Sequence, residues 1–243
     1  MHHDTDHHHG PDHPTTLNTA HTLAITHSAL GHHQAARELD EDTLARRRRI
    51  LGDDHPNTLA SASNLAARLS TLGEHQAARE LDEDTLARRR RILGDDHPDT
   101  LTSASNLATN LSALGEHQAA RELDEDTLAR RRRILGDDHP STLTSANNLA
   151  NRLAALGEHQ AARELDEDTL ARRRRILGDD HPSTLTSASN LAIRLSELGE
   201  HQAARELAED TLARMRRVLG DDHPNTRQAE QLVSWIDEQP SLG

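Results

Sequence analysis

Histidines are the residues of this sequence best suited to chemistry at neutral pH, and they are concentrated at one end. Ten of the 19 histidines lie within residues 1–33. Neutral imidazoles can bind Zn²⁺, Ni²⁺ or Cu²⁺, so a metal site is one hypothesis for this tract. The tract lacks the fixed spacing of a structured site, and a flexible tail explains it better. The weak candidate ligands are His2, His3, His7, His8 and His9.

Other catalytic side chains are scarce or undistinguished. The chain has no Cys and its 28 basic residues are all Arg, which excludes thiolate nucleophiles, phosphate-loop lysines and Schiff-base lysines. Ser, His and Asp are plentiful, but the same residues recur in every repeat. A catalytic triad needs one unique place where a nucleophile, a base and an orienting residue converge. We therefore expect a protein that is not an enzyme and uses no cofactor.

Composition also limits the partners. A net charge of −13 disfavours binding to the phosphate backbone of nucleic acids, and the absence of Phe and Tyr removes most platforms for stacking bases. No apolar run approaches the roughly 20 residues that span a bilayer, and the first residues contain no apolar signal core. We expect a cytoplasmic protein whose partner is a protein or peptide, with no nucleic acid and no membrane.

A repeat organises the chain. The variant string GPDHP begins at Gly10, and GDDHP then recurs every 42 residues, at Gly52, Gly94, Gly136, Gly178 and Gly220. Apolar residues follow the i, i+3, i+4, i+7 spacing of an amphipathic helix twice in each unit, with Pro56 in one first turn and Gly73 after its end. Each unit is predicted to be a helical hairpin that buries its apolar stripe by stacking on its neighbours.

The repeat predicts the organisation of the whole chain. We expect a His-rich tail over 1–14, five 42-residue helix-turn-helix repeats over 15–224, a capping helix over 225–238 and a short tail over 239–243. The histidine before each repeated proline is predicted to cap a helix. Trp235, the only aromatic residue, is predicted to seal the last repeat, and anchoring a partner is the alternative.

The motifs NLAxxLxxLG, AAREL and LGxxHP resemble the tetratricopeptide repeat, and the 42-residue length resembles the kinesin-light-chain type, which also occurs in bacterial regulators. The resemblance covers about residues 10–238. It implies an all-α, tetratricopeptide-like solenoid of about five helical hairpins plus a C-terminal capping helix. It also implies that the first helix of each repeat lines a concave groove where partners lie. Family members that clasp a C-terminal carboxylate use basic residues near Ala60 and Ser63, so that clamp is not predicted here.

Charged residues interrupt the apolar stripe of the second helices. In four repeats an Asp and an Arg stand seven residues apart and therefore share a helix face. The fifth unit replaces both, with Ala208 and Met215, and this joint replacement predicts an ion-pair network at the junctions between repeats. Buried pairs tend to set register more than they add stability. The pairs are Asp40 with Arg47, Asp82 with Arg89, Asp124 with Arg131, and Asp166 with Arg173.

One face of the first helices carries an unchanging asparagine beside residues that differ between units. A primary amide both donates and accepts hydrogen bonds, so such a ladder could bind a peptide backbone while the flanking residues select side chains. The alternative is an exposed face whose residues differ between repeats through neutral sequence drift and that has no binding role. The ladder is Asn64, Asn106, Asn148 and Asn190, and the flanking candidates are Arg68, Asn110, Arg152, Arg194, Asn151 and Glu197.

The sequence therefore favours a non-catalytic scaffold that binds an extended peptide or partner segment along the concave face. Three alternatives stay open. The chain could be the repeat or sensor arm of a larger bacterial signalling regulator, the His-rich tail could bind metal, or near-identical repeats could self-assemble by stacking.

Overall fold

Eleven α-helices and no strands make up the part of the chain that the computed structural model describes, which is Gly10 and residues 12–239. The predicted all-α class is confirmed. The chain divides into two compact units, residues 1–116 and 117–243. The metal-ligand candidates His2, His3, His7, His8 and His9 lie outside the described residues.

Unit 1 consists of two hairpins and the first helix of a third. Within the unit, each helix packs against the helices that precede and follow it in sequence. Asp12, just before the first helix, forms ion pairs with Arg46 and Arg49 of the second helix. The helices are α1 (Pro14–Ala29), α2 (His33–Leu51), α3 (Pro56–Thr71), α4 (His75–Leu93) and α5 (Pro98–Ala113).

Unit 2 begins with the second helix of a hairpin and ends on an unpaired first helix. Its helices also pack on their neighbours in sequence. They are α6 (His117–Leu135), α7 (Pro140–Ala155), α8 (His159–Leu177), α9 (Pro182–Glu197), α10 (His201–Leu219) and α11 (Pro224–Asp237).

Each first helix begins with the same His-Pro pair. Pro56 lies in the first turn of α3, where no amide donor is needed. The Nδ1 atom of His55 accepts a hydrogen bond from the Asn57 amide at 3.1 Å, which satisfies one of the unpaired donors of the helix N-terminus. The predicted capping role is confirmed, because the same bond forms at His13, His97, His139, His181 and His223.

The turn inside each hairpin depends on a glycine. Gly73 follows α3 with a φ of +79°, in the left-handed region that side chains disfavour. This conformation lets the Glu74 amide donate to the Leu69 carbonyl oxygen at 2.8 Å and closes the C-terminus of α3. The chain can then reverse into α4 within a few residues.

Leucine and alanine fill the cores. In unit 1, Leu44 of α2, Leu65 and Leu69 of α3, and Ala78 of α4 belong to one buried apolar cluster. In unit 2, Leu128 of α6 occupies the position of Leu44 in the equivalent cluster. Small side chains let helices approach closely, so a thin core forms without large aromatic residues.

Helix α11 covers the end of unit 2 with an apolar residue other than the predicted one. Ile236 is buried against Ala208 of α10, and Leu232 and Val233 pack beside it. Trp235 is 40% exposed, so the expectation that it seals the last repeat was wrong. Adjacent helix positions are separated by about 100°, and burying Ile236 therefore turns the neighbouring indole outward.

Candidate functional site

The first helices expose one longitudinal face, which we call the first-helix stripe. In α3 its residues are exposed or half-buried, whereas Leu59, Ala62, Leu65 and Leu69 on the opposite side are buried. A spacing of three and four residues places them along one line of the helix. The stripe of α3 consists of Asn57, Ala60, Asn64, Ala67 and Thr71.

The asparagines of the predicted ladder lie half-buried on this stripe. In unit 1, the Nδ2 atom of Asn64 lies 3.3 Å from Nδ1 of His21 in α1. In unit 2, Nδ2 of Asn190 donates to Oδ1 of Asn147 in α7 at 2.7 Å. A primary amide has two donor hydrogens and an oxygen with two lone pairs, so one such contact leaves further bonding capacity at each side chain.

The stripes of α9 and α11 form the walls of a cleft in unit 2. The cleft is open to solvent, and the space between its walls, with open solvent included, is about 530 Å³. Ile193, Met215 and Leu232 provide its apolar surface, and Asn190 and Gln228 bring amide groups to it. Apolar walls with a few placed polar groups are the composition of a ligand site.

Four flanking candidates make intramolecular contacts instead of projecting freely. Each contacts the buried aspartate of the second helix that comes immediately before it in the chain. The Nδ2 atom of Asn110 donates to Oδ2 of Asp82 at 2.9 Å. The other contacts join Arg68 Nε to Asp40 Oδ2 at 3.2 Å, Arg152 Nε to Asp124 Oδ2 at 3.2 Å, and Arg194 Nε to Asp166 Oδ2 at 3.6 Å.

Burial of these aspartates changes their proton affinity. It raises the pKa of Asp82, Asp124 and Asp166 to about 6, because water no longer stabilises the carboxylate. The hydrogen bond from Asn110 opposes the shift at Asp82, as the charge of Arg152 does at Asp124. Burial also raises the pKa of Asp40. These carboxylates therefore lie in a poorly solvated environment.

The arginines predicted to pair with these aspartates also bond to the following helix. Arg89 is buried, and its Nη1 atom donates to Oγ of Ser103 at 2.7 Å and to the Asp99 carbonyl oxygen at 3.1 Å. It acts on Asp82 through a coulombic interaction. Arg47, Arg131 and Arg173 donate in the same way to Ser61, Ser145 and Ser187. The sequence predicted that the Asp and the Arg lie at the junction between repeats, but their hydrogen-bond partners lie in the helix that follows them.

Comparison with known proteins identifies the repeat. The family model of the tetratricopeptide repeat matches residues 16–57, 58–99, 100–141, 142–183 and 184–225. The chain belongs to the tetratricopeptide repeat family. No curated protein matched the sequence.

Solved structures with tetratricopeptide repeats resemble the chain. A kinesin light chain-like protein of Podosopora anserina with nearly identical TPR-like repeats is 35% identical, with a TM-score of 0.74 over 86% of this chain and 98% of that chain. BtubC (BKLC) from P. vanneervenii is 21% identical, with a TM-score of 0.72 over 87% and 84% of the two chains. NprR in complex with its cognate peptide NprX is 14% identical, with a TM-score of 0.69 over 92% and 63%. The predicted kinesin-light-chain type is confirmed, and the last two structures are similar in fold.

A signal for the junction partners was present in the repeat sequence. In four repeats Asp is followed 28 positions later by Arg or Asn, whereas Ala208 is followed at that distance by Ile236. Arg is followed 14 positions later by Ser, whereas Met215 is followed by Ala229. The fifth tetratricopeptide repeat thus exchanges two polar pairs for two apolar ones, and Met215 packs with Ala229. Comparing positions at these two offsets would have found the partners.

The two remaining candidates, Asn151 and Glu197, meet Arg194 in unit 2. Arg194 of α9 donates to Oδ1 of Asn151 in α7 and to Oε2 of Glu197, both at 2.8 Å. The same Glu197 oxygen lies 2.9 Å from Nδ1 of His159 in α8. The structure therefore assembles Asn151, Arg194 and Glu197 into one polar cluster.

In residues 12–239, no group of three or more His, Asp or Glu side chains is arranged to hold a metal ion. None of the helices described above combines the length and apolar character needed to cross a membrane.

Proposed function

We propose that the chain is a non-catalytic scaffold whose first-helix stripes bind an extended peptide or partner segment, and that the cleft between α9 and α11 holds an apolar side chain of that segment. The observation that carries the proposal is the cleft, which stripe residues of two successive first helices line together with Met215 of α10. Its apolar walls and amide groups meet at one place.

The chemistry of the cleft fits a peptide. Burying one apolar side chain against Ile193, Met215 and Leu232 would contribute about 1.5–3 kcal/mol. Asn190 and Gln228 can donate to and accept from a peptide backbone whatever its sequence. The asparagines of the other first helices would extend these backbone contacts within each unit.

The contacts of four flanking candidates with buried aspartates support a role for them beside the stripe. Arg68, Asn110, Arg152 and Arg194 are held by the buried aspartates. We propose that they shape the surface next to the stripe, while exposed residues at other stripe positions select side chains. The cluster of Asn151, Arg194 and Glu197 would favour a polar or charged side chain on the partner.

The relatives are compatible with this proposal. The structure of NprR contains its cognate peptide, and that of a Rap protein contains Competence and Sporulation Factor. Those proteins hold a bound partner on a similar fold, at 14% and 10% identity.

A peptide-display screen against the intact chain tests the proposal. We expect selected peptides to share an apolar residue, and Ile193→Arg to weaken their binding by at least about tenfold, or about 1.4 kcal/mol, because a guanidinium would fill the apolar cleft. Ile176→Arg is the matched control, since it makes the same substitution at a residue of α8 that is 44% exposed and lies outside the first-helix stripes. Isothermal titration calorimetry measures both, and far-UV circular dichroism checks folding.

Two outcomes would overturn the proposal. One is a screen that selects no peptide. The other is a set of peptides that bind Ile193→Arg as tightly as the unsubstituted chain, which would mean that the stripe of α9 is merely exposed.

A further inference from the structure

Among the described residues, no helix covers the face of α1 that the first helices of the later repeats bury against a preceding second helix. Leu23 is 45% exposed, whereas its counterparts Leu65, Leu107, Leu149 and Leu191 are 7–8% exposed. In unit 1, Leu65 is buried with Leu44 of the preceding second helix. The neighbouring positions Thr19 and Thr26 are exposed, although their counterparts Ser61 and Arg68 bond to Arg47 and Asp40. We call Thr19, Leu23, Thr26 and Leu30 the α1 face.

The α1 face is uncharged and largely apolar. Helix α1 contains no Asp, Glu, Lys or Arg. The hydroxyls of Thr19 and Thr26 donate to the carbonyl oxygens of Thr15 and Thr22, at 2.9 and 3.0 Å. Because the helix backbone accepts these bonds, the threonine methyl groups remain for contact with a partner. Leu30, at the end of the face, is 66% exposed.

The chemistry of the α1 face excludes the partner that first helices have inside the chain, which is a second helix with a buried Asp. The second helices α2, α4, α6 and α8 each present a buried Asp that needs Arg or Asn opposite it. At that position α1 has Thr26, whose hydroxyl donates to the backbone of its own helix. Docking such a helix on α1 would bury a carboxylate without a charged or amide partner, which is strongly unfavourable.

Helix α10, the second helix that lacks the buried Asp and Arg, is also unavailable to cover the α1 face. Helix α10 carries Ala208 and Met215 in place of Asp and Arg, and in unit 2 these residues already pack against Ile236 and Ala229 of α11. The other side of α11 carries Arg227 and Glu230 where α3 has Leu59 and Ala62. This polar surface disfavours stacking of a further repeat.

We propose that the α1 face binds the α1 face of a second copy of this chain, giving a dimer with two-fold symmetry. The face continues the positions that form the internal junctions, and it matches itself because it has no charge to repel its copy. A two-fold contact uses the same patch on both chains and closes at two subunits. Leu23 and Leu30 of each chain are buried in this dimer.

Sedimentation velocity over a range from micromolar to near-millimolar concentration tests the dimer. We expect a species of twice the monomer mass whose fraction rises with concentration. Added NaCl should increase that fraction, because it screens repulsion between two chains of net charge −13 and does not weaken apolar contacts. An interface of ion pairs would respond in the opposite direction.

Two substitutions locate the interface. Leu23→Glu and Thr26→Arg each place a charge on the α1 face, and each should lower the dimer association constant at least about tenfold. Ile50→Glu is the matched control, because Ile50 on α2 is 44% exposed and lies outside the face. It should leave the association constant within about threefold, and circular dichroism checks the folding of all three variants.

Several results would overturn the inference. They are a monomer at every concentration, a dimer that persists in both variants, and species that grow without limit, which would indicate head-to-tail stacking. A monomer that Leu23→Glu destabilises as strongly as a core substitution would also overturn it, because the face would then be covered within its own chain.

Discussion

Replacing Asp82 by asparagine is expected to stabilise the chain at pH 8 and to have little effect at pH 4. Asp82 is 1% exposed, and burial raises its pKa from 3.8 to about 6. Its bonding partner is the neutral side chain of Asn110. The amide oxygen of Asp82→Asn can accept the same hydrogen bond, so the substitution removes the charge and keeps the contact.

The sign follows from the linkage between proton binding and folding. A carboxyl with a higher pKa in the folded protein than in the unfolded chain binds protons more tightly when folded. The stability that this proton binding contributes is fully present below about pH 4 and is lost as the pH rises through 6. At 1.36 kcal/mol for each pH unit between 3.8 and about 6, ionised Asp82 costs about 3 kcal/mol at pH 8.

Urea unfolding of the variant and the unsubstituted chain at pH 4, 6 and 8 measures this cost. Other titrating groups contribute equally to both proteins, so the difference between their free energies of unfolding isolates Asp82. The difference should rise from near zero at pH 4 to about 3 kcal/mol at pH 8. Repeat proteins can unfold in parts, and amide hydrogen exchange in α4 would report the same change locally.

Asp84→Asn is the matched control. Asp84 lies on the exposed side of the same helix and pairs with Arg88 at 2.8 Å. Removing an exposed ion pair should cost less than about 1 kcal/mol. The reasoning would be refuted if Asp82→Asn were less stable than the unsubstituted chain at pH 8, or if its advantage did not shrink as the pH falls.

Two further predictions concern the junctions and the helix starts. Ala208→Asp should lower the free energy of unfolding by about 3–5 kcal/mol, because it buries an unpaired charge. Adding Ile236→Arg should recover at least half of that loss, because the two new side chains would form a contact equivalent to that of Asp166 with Arg194. Urea unfolding of the single and double variants checks this, and no recovery would contradict the assigned pairing. His97→Ala should cost about 1 kcal/mol whereas His97→Asn keeps the N-cap; equal losses in urea unfolding would show that the imidazole does not act as a cap.

The energetic coupling predicted within each Asp–Arg pair of one helix is a separate question. Asp82 and Arg89 act on one another through their charges, while their hydrogen bonds go to Asn110 and Ser103. A double-mutant cycle with Asp82→Ala and Arg89→Met measures that coupling. Asp82→Ala alone should destabilise the chain more than the double substitution, and additive effects would exclude the coupling.

The features that the sequence determined are local or periodic. Pro56 suits the first turn of a helix because its φ is fixed and no amide donor is needed there, and Gly73 ends the helix with a positive φ. His55 caps the helix two residues from its donor. Leu and Ala at helical spacing identify the buried face. Because the repeat length is constant at 42 residues, these short-range rules also predicted the helical hairpins, whereas the tetratricopeptide fold was predicted from the resemblance of the repeated motifs.

Tertiary structure decided which side chains meet across helices. A helical wheel places Asp82 and Arg89 on one face, but Asn110 and Ser103 approach that face from the following helix. The same limit applies to Trp235, which is exposed because Ile236 occupies the buried position. The cleft between α9 and α11 also depends on the separation of two helices. Spacing along one helix fixes directions around its own axis, whereas a contact requires the position of a second axis.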